Sequence, residues 1–141
     1  MRLKVFLDTN VLLSGIFFDG NESRVFDFVE IDLFTCQDAV DELDAVVRKK
    51  LKYLKGRTLE IALAEVARAM SDITVIPRAK YSSKLKEAEG LIRHKKDARI
   101  LAAVLHAKPD FFLTGDAHFF IEGIMERFRV MTAKDFLGKV K

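Results

Sequence analysis

A short, mostly apolar run, Leu3–Leu7, ends directly on an aspartate, Asp8, followed by Thr9 and Asn10. Apolar residues this close together read as a strand covered on both faces, the kind found inside a parallel sheet. The acid then falls at the carboxyl end of that buried strand, the edge where open α/β sheets place their chemistry. A carboxylate beside a core is costly unless something compensates its charge. The rest of the chain therefore has to be read for what could compensate it.

Strand-like and helix-like segments alternate along the sequence. Asp19-Gly20-Asn21 reads as a turn, and Ser23 as the cap of a helix carrying Val25, Phe26, Phe28 and Val29. Leu33–Cys36 is a second strand, after which Asp38 caps a helix with Ala39, Val40, Leu43, Val46 and Val47 at helical spacing. That helix ends in Arg48-Lys49-Lys50, which complements its C-terminal dipole. Thr58 opens a helix whose apolar set is Leu59, Ile61, Ala62, Leu63, Val66 and Met70. A strand over 72–76 stops at Pro77, residues 82–92 read as helical, and a helix over 97–107 ends before Pro109. Phe111-Phe112-Leu113 is a buried strand running into Thr114-Gly115-Asp116; a short helix, a strand over 129–131 and a helix from Ala133 follow. This order implies an α/β fold, a three-layer α/β/α sandwich around a mostly parallel sheet with right-handed crossovers.

At 141 residues, with no repeat or Pro/Gly-rich linker, the chain reads as a single domain over residues 1–141. Half of it is apolar, which excludes a disordered chain. No apolar run reaches membrane-spanning length, and the opening residues read as a strand rather than a signal peptide. The single cysteine, Cys36, excludes an internal disulfide framework and suits a cytoplasmic protein with a buried thiol. The net charge of +3 conceals an asymmetry: residues 1–47 hold 3 basic and 10 acidic side chains, residues 48–141 hold 21 basic and 11 acidic. An acidic site beside a basic surface suits a metal-dependent enzyme acting on a polyanion, although solvated helix faces give the same count.

Four acids stand where a parallel sheet would bring them to one rim. Asp8 follows the first strand, Glu42 lies one turn into the helix after the second, Asp97 opens a helix, and Asp116 follows the strand after it. Carboxylates gathered there would repel one another and take up protons unless a hard divalent cation lay among them. Each also has a plainer reading: a helix cap for Asp97, a solvated helix residue for Glu42, a turn former for Asp116. Asp41 could stand in for Glu42.

Asp8-Thr9-Asn10 after an apolar strand, Glu42-Leu43, Asp97 before an Ile/Leu/Ala-rich helix and Leu113-Thr114-Gly115-Asp116 together resemble the PIN-domain signature, over nearly the whole chain. The likeness is greatest to small prokaryotic VapC-like ribonucleases, the toxin components of toxin–antitoxin pairs. The resemblance implies a five-stranded sheet between helices, Mg²⁺- or Mn²⁺-dependent cleavage of RNA, an antitoxin protein as partner and a homodimer. Matched by motif, Asp8, Glu42, Asp97 and Asp116 would hold the metal, with Asn10 and Thr114 orienting the carboxylates; plainer roles for those two are a turn and a strand-end hydroxyl.

One position departs from the pattern: many members carry a second aspartate where this chain has His118. That histidine could contact phosphate, shuttle a proton, ligate a softer metal, or serve only as structure. Arg93, Lys95, Lys96 and Arg99 surround Asp97 and are the expected substrate-binding cluster; Arg48, Lys49, Lys50, Lys52, Lys55 and Arg57, around Tyr53, form a second. Tyr53 and Tyr81 could stack on bases or pack. Twelve phenylalanines and no tryptophan fill a core or leave a face for a partner. Competing readings are an RNA-binding PIN-fold protein without strong cleavage, and an aspartyl-phosphate domain of the receiver or phosphatase kind. Against the phosphatase, Asn10 stands where a second aspartate is required.

Overall fold

The computed structural model describes residues 2–140. Five strands are present: β1 (Leu3–Leu7), β2 (Ile31–Cys36), β3 (Thr74–Ile76), β4 (Phe111–Leu113) and β5 (Val130–Met131). They form one sheet in the order β3-β2-β1-β4-β5, with every neighbouring pair parallel. β1 is central, and Val5, Phe6 and Leu7 are all 0% exposed. Successive side chains of a strand point to opposite faces, so both faces of β1 are covered.

The topology has a functional consequence. The chain builds outward from β1 through β2 to β3, then returns to the other side of β1 for β4 and β5. The direction of winding reverses between β1 and β4. A crevice opens at the carboxyl ends of two such strands, the usual ligand position in open α/β sheets. Asp8 leaves β1 and Thr114 leaves β4 at this reversal, and the Asp8 N–H still donates to the Leu113 carbonyl at 3.1 Å.

The helices are α1 (Thr9–Phe17), α2 (Asn21–Phe26), α3 (Gln37–Lys49), α4 (Leu59–Met70), α5 (Arg78–Tyr81), α6 (Leu85–Glu89), α7 (Lys95–Ala107), α8 (Glu122–Met125) and α9 (Ala133–Lys139). Several boundaries differ from those read in the sequence. Ser23 does not precede α2 but sits in its first turn, where its Oγ accepts from the Gly20 N–H at 3.0 Å. α3 starts before Asp38, with Cys36 in the capping position, because the Asp38 carboxylate is engaged by Tyr81 and Arg78. Of the helical stretch expected over 82–92, a 3₁₀ turn over Ser82–Lys84 and α6 form, with α5 lying just before it. Ile61, counted in the apolar set of α4, is 51% exposed.

The phenylalanines are mostly core. Phe6 and Phe112 meet edge to face at 5.6 Å, and Phe112 meets Phe119 at 5.0 Å. Phe111 packs on Phe136, which also meets Phe28. Phe18 alone of the group is largely exposed. Cys36 is buried, its thiol pushed up to about 12 by desolvation, so it is an inert core residue.

Gly15 is required for the packing of α1 on α2. A Cβ at this position would lie 2.6 Å from the Phe26 ring edge. Gly15→Ala is therefore expected to destabilise the protein by about 1–3 kcal/mol in urea denaturation, outweighing the better helix propensity of alanine.

Candidate metal centre

Asp8 occupies the capping position of α1, and its Oδ1 accepts from the Thr9 N–H at 2.8 Å. Its Oδ2 accepts from the Thr114 hydroxyl at 2.6 Å. The same hydroxyl accepts from the Asp116 N–H at 3.0 Å. One threonine thus ties the acid leaving β1 to the acid following β4. Asp116 in turn accepts from the His118 N–H through Oδ1, which shapes a 3₁₀ turn over Ala117–Phe119.

Asp8 is 4% exposed, and its pKa is pushed up to about 6. Desolvation is the main cause; the negative charges of Glu42 and Asp116 add to it, while the Thr114 and Thr9 hydrogen bonds oppose it. Glu42, projecting from α3, is also raised, first by burial and then by Asp97 and Asp116, against the attraction of Lys96. Asp97 lies in the first turn of α7, where a negative charge suits the helix dipole. Its Oδ2 is 2.8 Å from His118 Nδ1, and that nitrogen is 3.3 Å from Asp116 Oδ1. The four acids singled out in the sequence therefore share one electrostatic neighbourhood.

Asp41 has partners of its own. Gln37 and Arg78 hold its exposed carboxylate below the usual range, Arg78 Nη2 lying 2.6 Å away. Arg78 also grips Asp38, and this local network accounts for both acids. Asn10 is exposed, and among the described residues no hydrogen bond joins its side chain to any of the four acids; the backbone of Thr9 holds Asp8 instead.

The basic residues divide. Lys96 and Arg99 line a cavity of about 760 Å³ together with Glu42, Lys49 and Tyr81, and Arg78 sits on the same lining with its partners Asp38 and Asp41. Arg93 and Lys95 are exposed near the start of α7, outside that lining. In the other cluster, Arg48 pairs with Asp44 and Arg57 with Glu65, so part of it is committed to local structure. Tyr81 is buried with its hydroxyl on Asp38, whereas Tyr53 is 63% exposed with Lys52 over its ring.

His94 is not among the site residues expected from the sequence, yet its ring stacks on His118 at 3.9 Å. The signal was its spacing: His94 and Asp97 are three residues apart at a helix start and share a face.

The chemistry of the donor set suits a hard divalent cation, although no three of the four carboxylates lie within 4.8 Å of one another, so an ion would have to draw them in. The set consists of carboxylate oxygens, two of them destabilised by burial and mutual repulsion, with Thr114 fixing the most buried one. A doubly charged ion relieves that repulsion directly.

A family model for the PIN domain matches residues 6–134. No curated protein sequence matches the chain significantly. Among solved structures it is similar to VapBC2 from Rickettsia felis bound to a promoter DNA fragment: TM-score 0.69 at 15% identity, covering 91% of this chain and 97% of that one. It is also similar to VapC20 from Mycobacterium tuberculosis, described as a sarcin–ricin-loop-cleaving toxin, with TM-score 0.59 at 18% identity over 80% and 90% of the two chains. A third similar structure is VapBC-1 from nontypeable Haemophilus influenzae, with TM-score 0.61 at 13% identity over 94% and 99%. With a sheet that reverses at β1 and β4, acids gathered at that reversal, and a family match over most of its length, the chain belongs to the PIN-domain family.

Proposed function

We propose that the protein is a metal-dependent endoribonuclease and the toxin component of a toxin–antitoxin pair. The observation that carries this reading is the gathering of Asp8, Glu42, Asp97 and Asp116 beside Lys96 at the carboxyl rim of the sheet. Family membership and the toxin names carried by similar structures support it.

In this reading the four acids hold Mg²⁺ or Mn²⁺. When bound, the ion supplies Lewis-acid activation of a water and offsets charge building on the phosphate during hydrolysis. The protein's own part is positioning. Thr9 N–H and the Thr114 hydroxyl fix both oxygens of Asp8. Lys96 and Arg99, on the cavity that reaches Glu42, hold the RNA backbone by its phosphates, and Arg93 and Lys95 extend that basic surface along the start of α7. Water attacks phosphorus and the ribose oxygen leaves; no side-chain nucleophile takes part. The partners are an antitoxin protein and a second copy of the chain, in the cytoplasm. No helix among the described residues is long and apolar enough to cross a membrane.

The test is incubation of labelled single-stranded RNA with the protein and Mn²⁺, with a chelator in a parallel reaction. Cleavage with the ion and none with the chelator is the expected result. RNA and metal binding without cleavage would replace this reading with that of an RNA-binding PIN protein.

Thr114→Val removes the hydroxyl shared by Asp8 and Asp116. It is expected to lower Mn²⁺ affinity by about 10–100-fold in calorimetric titration, the usual loss when the group orienting a metal ligand is removed.

A further inference from the structure

We propose that His94, His118 and Asp97 form a second cation site, of two nitrogens and one oxygen, that takes a borderline transition ion such as Co²⁺ or Zn²⁺ in preference to Mg²⁺. It rests on the reading above only for the shared ligand Asp97.

The three residues come from two elements that meet at the rim. His94 stands in the capping position of α7 but makes no capping hydrogen bond, so its ring is not committed to the helix end. Asp97 lies in the first turn of the same helix. His118 comes from the 3₁₀ turn after β4, which its own N–H closes onto Asp116. One donor atom from each residue falls within 4.8 Å of the other two. The His118 Nδ1 to Asp97 Oδ2 separation is 2.8 Å. That contact is a hydrogen bond; donors about 2.1 Å from one ion are about 3.4 Å apart at the tetrahedral angle, so an entering ion replaces the shared proton and the pair opens by about half an ångström. His94 closes the third side by a side-chain rotation. Its ring is exposed and lies flat on that of His118, itself 48% exposed, so the movement breaks no core packing.

The donor types decide which ion enters. Imidazole nitrogens favour Co²⁺, Ni²⁺, Cu²⁺ and Zn²⁺, whereas Mg²⁺ prefers carboxylate and water oxygens. Two neighbouring sites of different preference then share Asp97: an all-carboxylate site toward Asp8, and a mixed site toward the two histidines. The histidine in place of the second aspartate of the motif changes the chemistry of the outer site and leaves the inner one intact.

The experiment is titration of the metal-free protein with Co²⁺ and separately with Mg²⁺, by calorimetry and by the visible absorption of bound Co²⁺. Wild type is compared with His94→Ala, His118→Ala and the control His106→Ala, at an exposed position near the other end of α7. Each of the first two is expected to lose at least about tenfold in Co²⁺ affinity and to weaken the visible bands, with a clearly smaller loss of Mg²⁺ affinity, larger for His118→Ala because its Nδ1 also holds Asp97 and Asp116. His106→Ala is expected to match wild type. Unchanged Co²⁺ affinity and spectrum in both variants would overturn the proposal. So would equal losses for Co²⁺ and Mg²⁺, which would make the histidines mere supports of the carboxylate site. RNA cleavage with Mg²⁺, measured alongside, separates the two claims. Cleavage with histidine-independent Co²⁺ binding counts against this site alone. No cleavage with histidine-dependent Co²⁺ binding supports this site and counts against the ribonuclease reading alone.

Discussion

Asp8→Asn is expected to make the metal-free protein more stable than wild type at pH 7.5, by up to about 3 kcal/mol. The sign follows from proton linkage. The carboxyl titrates near 3.8 when unfolded and is pushed up to about 6 in the folded chain, chiefly by desolvation. Between those values the folded state holds a proton that the unfolded state has released, so stability falls as pH rises through the window. Above about pH 6 the loss is complete, and at about 1.4 kcal/mol per pKa unit it reaches the stated size. Asparagine has nearly the same shape, still offers an oxygen to the Thr9 N–H, and carries no charge to desolvate; its amide nitrogen faces the Thr114 hydroxyl in place of the oxygen that accepts from it, a loss of about 1 kcal/mol that trims the gain. Urea denaturation in chelator should show the variant ahead at pH 7.5 and the gap closing toward pH 4. Added Mn²⁺ should then stabilise wild type and not the variant. A variant less stable than wild type at every pH would mean that Asp8 is compensated within the protein itself and needs no ion.

The second large effect is on catalysis. Asp116→Asn should lower RNA cleavage at least about 10³-fold, corresponding to a loss of about 4 kcal/mol of transition-state stabilisation. The fold should survive the change. The Asp116 backbone keeps its bond to Thr114, and an asparagine oxygen can still accept from the His118 N–H. Asp32→Asn is the informative contrast, because that carboxylate pairs with Arg2 near the amino end of β2, at the opposite edge of the sheet from the four acids. Its cleavage rate should stay within about threefold of wild type, as expected for a charge outside the site. Equal losses in the two variants would point to a general electrostatic effect, and equal retention would remove Asp116 from the chemistry.

The acids were legible in the sequence because the rule that locates them is local. An acid just after a buried strand lies at the carboxyl rim of a parallel sheet, and a helix leading back into the next strand starts near that rim, which covers Asp8, Asp116 and Asp97; Glu42 sits one turn further along α3. Thr114 was legible for the same reason. What the sequence hid depends on contacts between distant segments. The start of α3 could not be read from Asp38, because that side chain, a good cap by its chemistry, is taken by Tyr81 and Arg78 about forty positions away. α1 begins on Thr9 and Asn10, residues that favour turns, and contains Gly15, which weakens helical patterning but is demanded by the Phe26 ring. Glu42 and Asp41 are adjacent and chemically alike; only the position of Arg78 separates them. Likewise, the pairing of His94 with His118 needed the start of α7 to meet the turn after β4.

The most direct measurement is anomalous diffraction from crystals soaked in Mn²⁺. The expected result is a manganese peak within coordination distance of the Asp8 and Asp116 carboxylates, close to Asp97 and Glu42, and lost in Asp8→Asn crystals. No peak at that rim in wild type, or one that survives the substitution unchanged, would contradict the claim that these acids exist to bind a cation.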